Sequence, residues 1–326
     1  MPATTPALSR AEPAKVEQGL RYGHFAPQDW IVLGYLSVLL LAVLQGQRDV
    51  RFLHHVCEIF GLLASAALGI FLVRFTPLGE HRVISFIYRV AIYVPVQSSY
   101  FMFRDVLPRI NPRALDAELY ALDLKLFGVE PAVAWDRFVT PLTTEWFAFF
   151  YFSYFFVIIA HLIPLLFTSR EQRLVGEFTT GVLGVVCIGH TIYMLVPGFG
   201  PYRAMPQAFS HQFPKGLWLD MVMEAVNSGG AMKDIFPSLH TALPTFITLF
   251  AFRHRARPPF RYTWPVIGFF TCNIIVATMF LRWHYLIDVI AGLALATLCG
   301  WLAPVLVDRE LRKRRQLGIG PMWPMP

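Results

Sequence analysis

The chain has 326 residues, 56% hydrophobic, 15% aromatic and 15% charged, with a net charge of +7 and a mean hydropathy of +0.50. That charged share lies well below the ~25% of an average globular chain, too little polar surface to cover a soluble particle of this size. The composition excludes a disordered chain and a secreted disulfide scaffold, and it implies an all-α, polytopic membrane bundle whose excess apolar residues face lipid.

In chain order, residues 1–28 are polar, contain Pro2, Pro6 and Pro13, and lack the apolar core of a signal peptide. The first spanning helix then serves as the targeting signal. A span needs ~20 apolar residues, and candidates run at 30–45, 56–73, 83–103, 146–167, 174–196, 237–252, 264–281 and 285–306. That predicts about eight transmembrane helices, and an even number puts both termini on one side. Between the third and fourth, Leu115, Leu119, Leu122, Leu126 and Phe127 recur with a helical period, which predicts an amphipathic helix at the interface. Residues 199–236 are rich in Gly, Pro and aromatics and too polar to span. The resulting division is a polar segment 1–28, N-terminal helices 29–104, a catalytic core 105–307 and a basic tail 308–326.

Charge orients the bundle. Sixteen Lys and Arg fall on the side of the termini and eleven on the other, with Arg89 inside the third helix. The positive-inside rule makes the first side, and both termini, cytoplasmic. Cys57, Cys187, Cys272 and Cys299 all fall in apolar runs without C-x-x-C spacing, and read as small buried hydrophobes.

Ionisable residues at membrane depth point to function, and the densest group sits on the outer side. His284 and Asp288 are spaced i, i+4, so they share one face of the last helix. The aspartate can fix the imidazole tautomer and leave the other ring nitrogen as a base or nucleophile. Pro237, Ser238, Leu239 and His240 read as a helix start, whose first amides form an anion site that His240 faces as a proton donor. Arg203, Lys233 and Arg282 are cations near the same place. Three cations, two histidines and a helix N-terminus suit phosphate, because phosphoryl transfer chiefly needs positioning and charge stabilisation. Taken singly, the helix start reads as an ordinary cap and His284 as an interfacial histidine.

Together, Pro237-Ser238-x-His240 and, about 40 residues later, Arg282-x-His284-Tyr285-x-x-Asp288 resemble the second and third motifs of the type-2 phosphatidic acid phosphatase superfamily. Pro197-x-x-Gly200-Pro201-x-Arg203 and Leu122-Asp123-x-x-Leu126-Phe127-Gly128, the latter ahead of a helix carrying Tyr151 and Tyr154, resemble its inositol-phosphotransferase branch, which includes inositol phosphorylceramide synthases. The resemblance covers roughly residues 115–306 and implies a six-helix core with the first three helices outside it. It implies a reaction without metal or cofactor on a lipid phosphate. His284 would become phosphohistidine, Asp288 would orient it, and His240 would protonate the departing group. Arg203 and Arg282 would hold phosphoryl oxygens, with Lys233 and Ser238 beside them. The substrates would be a phospholipid and a lipid hydroxyl, at a site on the outer face of the membrane. Three departures favour transferase over phosphatase: no K-x-x-x-x-x-x-R-P string occurs, Thr278 stands where phosphatases place an arginine, and no glycine precedes His240. The alternative within the family is a phosphatase acting on a phosphatidate- or isoprenyl-phosphate-type lipid. A transporter built around Glu58, Arg89 and His190 would show repeated broken helices, and the sequence has none.

Other marked residues take plainer readings. His54, His55 and Glu58 are interfacial rather than metal ligands, and Arg89, ahead of Pro95, Gln97, Ser98 and Ser99, faces protein interior. His190 either lines the cavity or is a satisfied intramembrane histidine. The run Arg309, Arg312, Lys313, Arg314 and Arg315 anchors on anionic lipid rather than on nucleic acid.

Overall fold

The computed structural model describes residues 24–324, so most of the polar segment assigned to 1–28 lies outside the described residues. The α-helices, in order, are α1 (Pro27–Gln45), α2 (Phe52–Phe75), α3 (Arg82–Ile110), α4 (Asp116–Phe127), α5 (Pro131–Ala134), α6 (Pro141–Phe167), α7 (Gln172–Leu195), α8 (Pro201–Ala204), α9 (Leu217–Gly229), α10 (Leu239–Arg253), α11 (Phe260–Phe280) and α12 (Leu286–Leu317). Among the described residues there is no strand, only a parallel bridge between Gly198 and Asp234.

Local chemistry sets the boundaries. Pro27 and Pro141 open α1 and α6 in the first turn, where no amide partner is lost, and Thr140 and Thr143 form a reciprocal cap on α6. Gly128 and Gly318 close α4 and α12 in the left-handed conformation.

All eight expected spans fold as helices, and six of them, α1, α2, α6, α7, α11 and α12, are long and apolar enough to cross a membrane. The other two differ for opposite reasons. Helix α3 has the length but carries Arg82, Arg89, Arg104, Asp105 and Arg109 and two internal prolines, Pro95 and Pro108. Helix α10 has only 15 residues, about 22 Å at 1.5 Å per residue. It packs against α6, α7, α11 and α12, so its neighbours supply the surroundings that lipid would otherwise have to.

Helix α7 is the pivot between two halves, touching α10 and α12 on one side and α1 and α3 on the other. A Cβ on Gly189 would meet the Leu239 side chain at 2.6 Å, so its small residue lets α10 approach. Helices α1, α2 and α3 pack together and against α7. The expected amphipathic helix is α4, with Leu122, Leu124, Leu126 and Phe127 exposed and Leu119 buried. Residues 199–236 do not form a span, and they contain α9, a helix for which the sequence analysis makes no prediction. Helix α9 lies on α6 through Leu219 and Val222, and Glu145 of α6 accepts the Trp218 and Leu219 amides at 3.1 Å each.

At the end of the bundle that holds the start of α1 and the end of α12, the basic tail does not simply extend away. Beyond α12 the chain folds back and buries Met322 and Trp323. Arg74 pairs with Asp29 at 2.8 Å and donates to Tyr88 and to the Pro321 and Met322 carbonyls. Arg89 donates to the Leu166 and Pro324 carbonyls at 2.7 and 2.8 Å. Arg89 therefore faces protein, where it binds the tail. Two cysteines depart from expectation: Cys187 and Cys299 are buried, but Cys57 and Cys272 are exposed on the bundle surface.

Candidate active site

The opposite end gathers the starts of α6, α10 and α12 and the ends of α3, α7 and α11. His240, second residue of α10, is stacked on Tyr151 with ring centroids 4.3 Å apart and lies 4.1 Å from Tyr154, both on α6. The i, i+3 spacing of the two tyrosines puts them on one helix face. The ring centroids of His240 and His284 are 6.3 Å apart. His240 Nε2 has no partner among the described residues. The two histidines therefore face one small volume from different helices.

His284 sits just before α12, 4% exposed. Its Nδ1 lies 3.4 Å from Oδ2 of Asp288, yet the two are not aligned for a hydrogen bond. Asp288 is fully buried, with Oδ2 accepting the Tyr285 amide at 2.9 Å and Oδ1 without a partner. Burial pushes His284 down to about 4, against the pull of the Asp234 charge and the Ile235 carbonyl. The ring is then neutral at pH 7, the form a nucleophile requires.

The expected phosphate ligands divide. Arg203, on α8, contacts Met232 Sδ through its guanidinium. Arg104 of α3 reaches the same sulfur. Lys233 is buried and donates to the Pro112 and Arg113 carbonyls at 3.1 and 2.8 Å. Arg282 donates to Asp136 at 2.7 Å and to the His211 carbonyl at 2.8 Å, between the rings of Phe209 and Phe213. Asp136 in turn accepts from His211 Nδ1 and the Ser210 amide. Burial would raise its pKa, but His211, the Ser210 amide and Arg282 hold it below the usual carboxylate range. Ser238 caps α10 through the Thr241 amide, while its own amide donates to the Asp288 carbonyl at 3.0 Å. Protein groups thus engage Lys233, Arg282 and Ser238, and Arg203 keeps the most freedom toward an anion.

Four residues escape the sequence reading. Asp234, just before α10, accepts the Tyr100 hydroxyl at 2.8 Å and lies within electrostatic range of Arg203 and His284. Tyr100 comes from α3, and its ring stacks on His190 at 5.6 Å. Among the described residues His190 Nδ1 has no partner, and the ring is enclosed by Tyr35, Tyr100, Phe103 and Tyr193. Asp116, at the start of α4, accepts the Phe199 and Gly200 amides. Asp136 is the fourth, and nothing local announces a carboxylate that holds an arginine 146 residues away. At the far side of α2, His54 and His55 both pair with Glu58, and no group of three or more metal-ligating side chains occurs among the described residues.

The pattern of the PAP2 superfamily matches residues 117–302. The chain belongs to the PAP2 superfamily. No curated protein and no solved structure matches it. The PAP2 region takes in α4 through most of α12, and with it His240, His284, Asp288, Arg203 and Asp234. Tyr100, Arg104 and Asp116 lie outside it. The membership makes the chain a helical membrane protein of a lipid phosphatase and phosphotransferase family.

Proposed function

We propose that the chain transfers a phospho-headgroup, of the phosphoinositol kind, from a phospholipid to a lipid hydroxyl through a phosphohistidine. The observation that carries this reading is the facing of two buried imidazoles, His240 and His284, with Asp288 behind the second. His284 attacks phosphorus as the bond to the leaving oxygen breaks, and His240 gives that oxygen its proton. In the second half the acceptor hydroxyl attacks phosphorus, its proton passes to His240, and the phosphorus–nitrogen bond breaks. Arg203 binds the phosphoryl oxygens, and incoming phosphate charge favours the protonated form of His240. Arg282, Lys233 and Ser238 frame the loops around it.

Enclosure favours transfer over hydrolysis. His284 is 4% exposed and His240 is covered by Tyr151 and Tyr154, and a phosphohistidine survives to meet a lipid only where water is kept off. Charge asymmetry supports a cytoplasmic position for both termini and an outward-facing site. The test is purified protein in detergent with headgroup-labelled phosphatidylinositol and a ceramide or diacylglycerol acceptor, beside His284→Ala. Transfer of label that depends on His284 supports the proposal. Free phosphate from a phosphatidate- or isoprenyl-phosphate-type monoester, with no transfer, assigns a phosphatase. Ion flux in liposomes with no phospholipid turnover overturns both.

A further inference from the structure

Helix α4 reads from the sequence as an interfacial element resting on lipid, and its exposed leucines fit that. Its inner face does something more specific. Asp116 and Asp123 are seven residues apart, so they share one helix face, and they are 9% and 0% exposed. Asp123 accepts the Leu286 amide at 2.7 Å and the Ile287 amide at 2.9 Å, one on each carboxylate oxygen. Those are the first two residues of α12, the helix that begins two residues after His284. Asp116 accepts the Phe199 and Gly200 amides at 3.0 and 2.9 Å and the Tyr285 hydroxyl at 3.2 Å. One helix therefore holds both the turn that leads to Arg203 and the segment that carries His284 and Asp288.

The arrangement matters electrostatically. A helix N-terminus attracts anions through its free amides and its dipole, and it is a ready site for phosphate. At α12 that site is filled by the protein's own Asp123 carboxylate, and Asp288 caps the Tyr285 amide beside it. Substrate phosphate is thereby directed away from the start of α12 and toward the histidines and Arg203.

We infer that Asp123 and Asp116 are positioning residues for the transfer reaction, with α4 acting as a strap that fixes His284 and Arg203 relative to each other. Resting on the proposed reaction, the inference adds residues that touch neither substrate nor the reacting atoms. Glu130, three residues beyond α4, supplies the strap's third acid. Its Oε1 accepts the Ala132 amide at 3.0 Å, and its Oε2 has no donor. Burial and the neighbouring Asp123 carboxylate raise its pKa, with Asp288 adding to the effect. Facing it are Asp123 from α4 and Asp288 and Tyr285 at the start of α12. The raised value keeps the proton on Glu130, while both Asp123 oxygens stay engaged in capping α12.

The experiment uses the full chain in detergent and compares His284→Ala, Asp123→Asn and Glu130→Gln. Asparagine has one oxygen for two amides, so it loses one cap bond and turns an NH₂ toward the other donor. The expected result for Asp123→Asn is a fall in kcat of about tenfold to hundredfold, the scale of a small misplacement of reacting groups, with KM little changed. Glu130→Gln keeps kcat near neutral pH. In the unsubstituted protein kcat falls as pH rises through the raised Glu130 value, because a second negative charge then forms beside Asp123; the Gln variant lacks that alkaline fall. Activity remaining in His284→Ala defeats the underlying reaction and not the strap. Unchanged kcat in Asp123→Asn, while His284→Ala is dead, overturns the strap. Should Asp123→Asn fail to fold, identical pH profiles for Glu130→Gln and the unsubstituted protein overturn it instead.

Discussion

The end of the bundle around Asp29 and Arg74 and the end around His240 and His284 bury similar kinds of polar group and treat them differently. Around Arg74, the guanidinium is matched by Asp29, Tyr88 and two tail carbonyls, and Arg89 by the Leu166 and Pro324 carbonyls. Only Gln28 Oε1 and Trp323 Nε1 lack partners in that network among the described residues. At the other end, His240 Nε2, His284 Nδ1, Asp288 Oδ1, Arg282 Nε and Trp283 Nε1 are all buried without partners. A buried group without a partner costs about 1–3 kcal/mol, so their concentration in one place fits the proposed substrate site. The satisfied end is a closed network, and the unsatisfied end is where the proposed reaction would take place.

Substitutions should break the two ends in different ways. The largest effect is expected from His284→Ala, which removes the nucleophile and should lower transfer by about four orders of magnitude or more with little change in thermal stability; a surviving rate would show that chemistry does not pass through that ring. His240→Ala should slow the first step by about 10²- to 10⁴-fold, read as loss of burst-phase labelling in a folded protein. At the opposite end Arg74→Ala leaves Asp29 buried without its cation. A destabilisation of about 3–5 kcal/mol is expected, with kcat of the folded fraction unchanged. Denaturant titration beside an activity assay checks both, and loss of kcat without loss of stability would erase the contrast.

The smallest effect is in pH. Free His284 near 6.5 takes a proton before the folded ring at about 4, so the unfolded state binds more protons between those values. Stability therefore falls as pH drops through that window, whereas kcat/KM holds across it and is lost only as pH falls to about 4. A pH profile with its acid limb near 6.5 would mean that the ring is not desolvated.

The sequence shows the proposed reacting groups better than it shows what holds them. The i, i+4 pair His284 and Asp288 and the helix start at Ser238 are local patterns, and local geometry made them visible. The spans were visible for the same reason, because apolar length is a property of a single segment. Asp136 with Arg282, Asp116 with the Gly200 turn and Asp234 with Tyr100 join residues 146, 84 and 134 positions apart. No spacing rule relates such partners. Asp123 stands in the Leu122–Gly128 motif that carries the resemblance, and the only local trace of Asp116 is its seven-residue interval from Asp123 on an amphipathic helix. The tail was read as a basic anchor because its arginines dominate it, whereas Met322 and Trp323 decide where it goes.

The hydrogen bond from Tyr100 to Asp234 bears on modularity. Helix α3 lies outside the PAP2 region, yet its hydroxyl completes a carboxylate that acts on His284, and its ring covers His190. Under the proposed reaction the first three helices are then not a detachable membrane anchor but one wall of the site. A fragment cut at the family boundary would carry both histidines and still expose Asp234 on its open flank. Chimeras that graft these three helices from a relative should exchange substrate preference along with the wall.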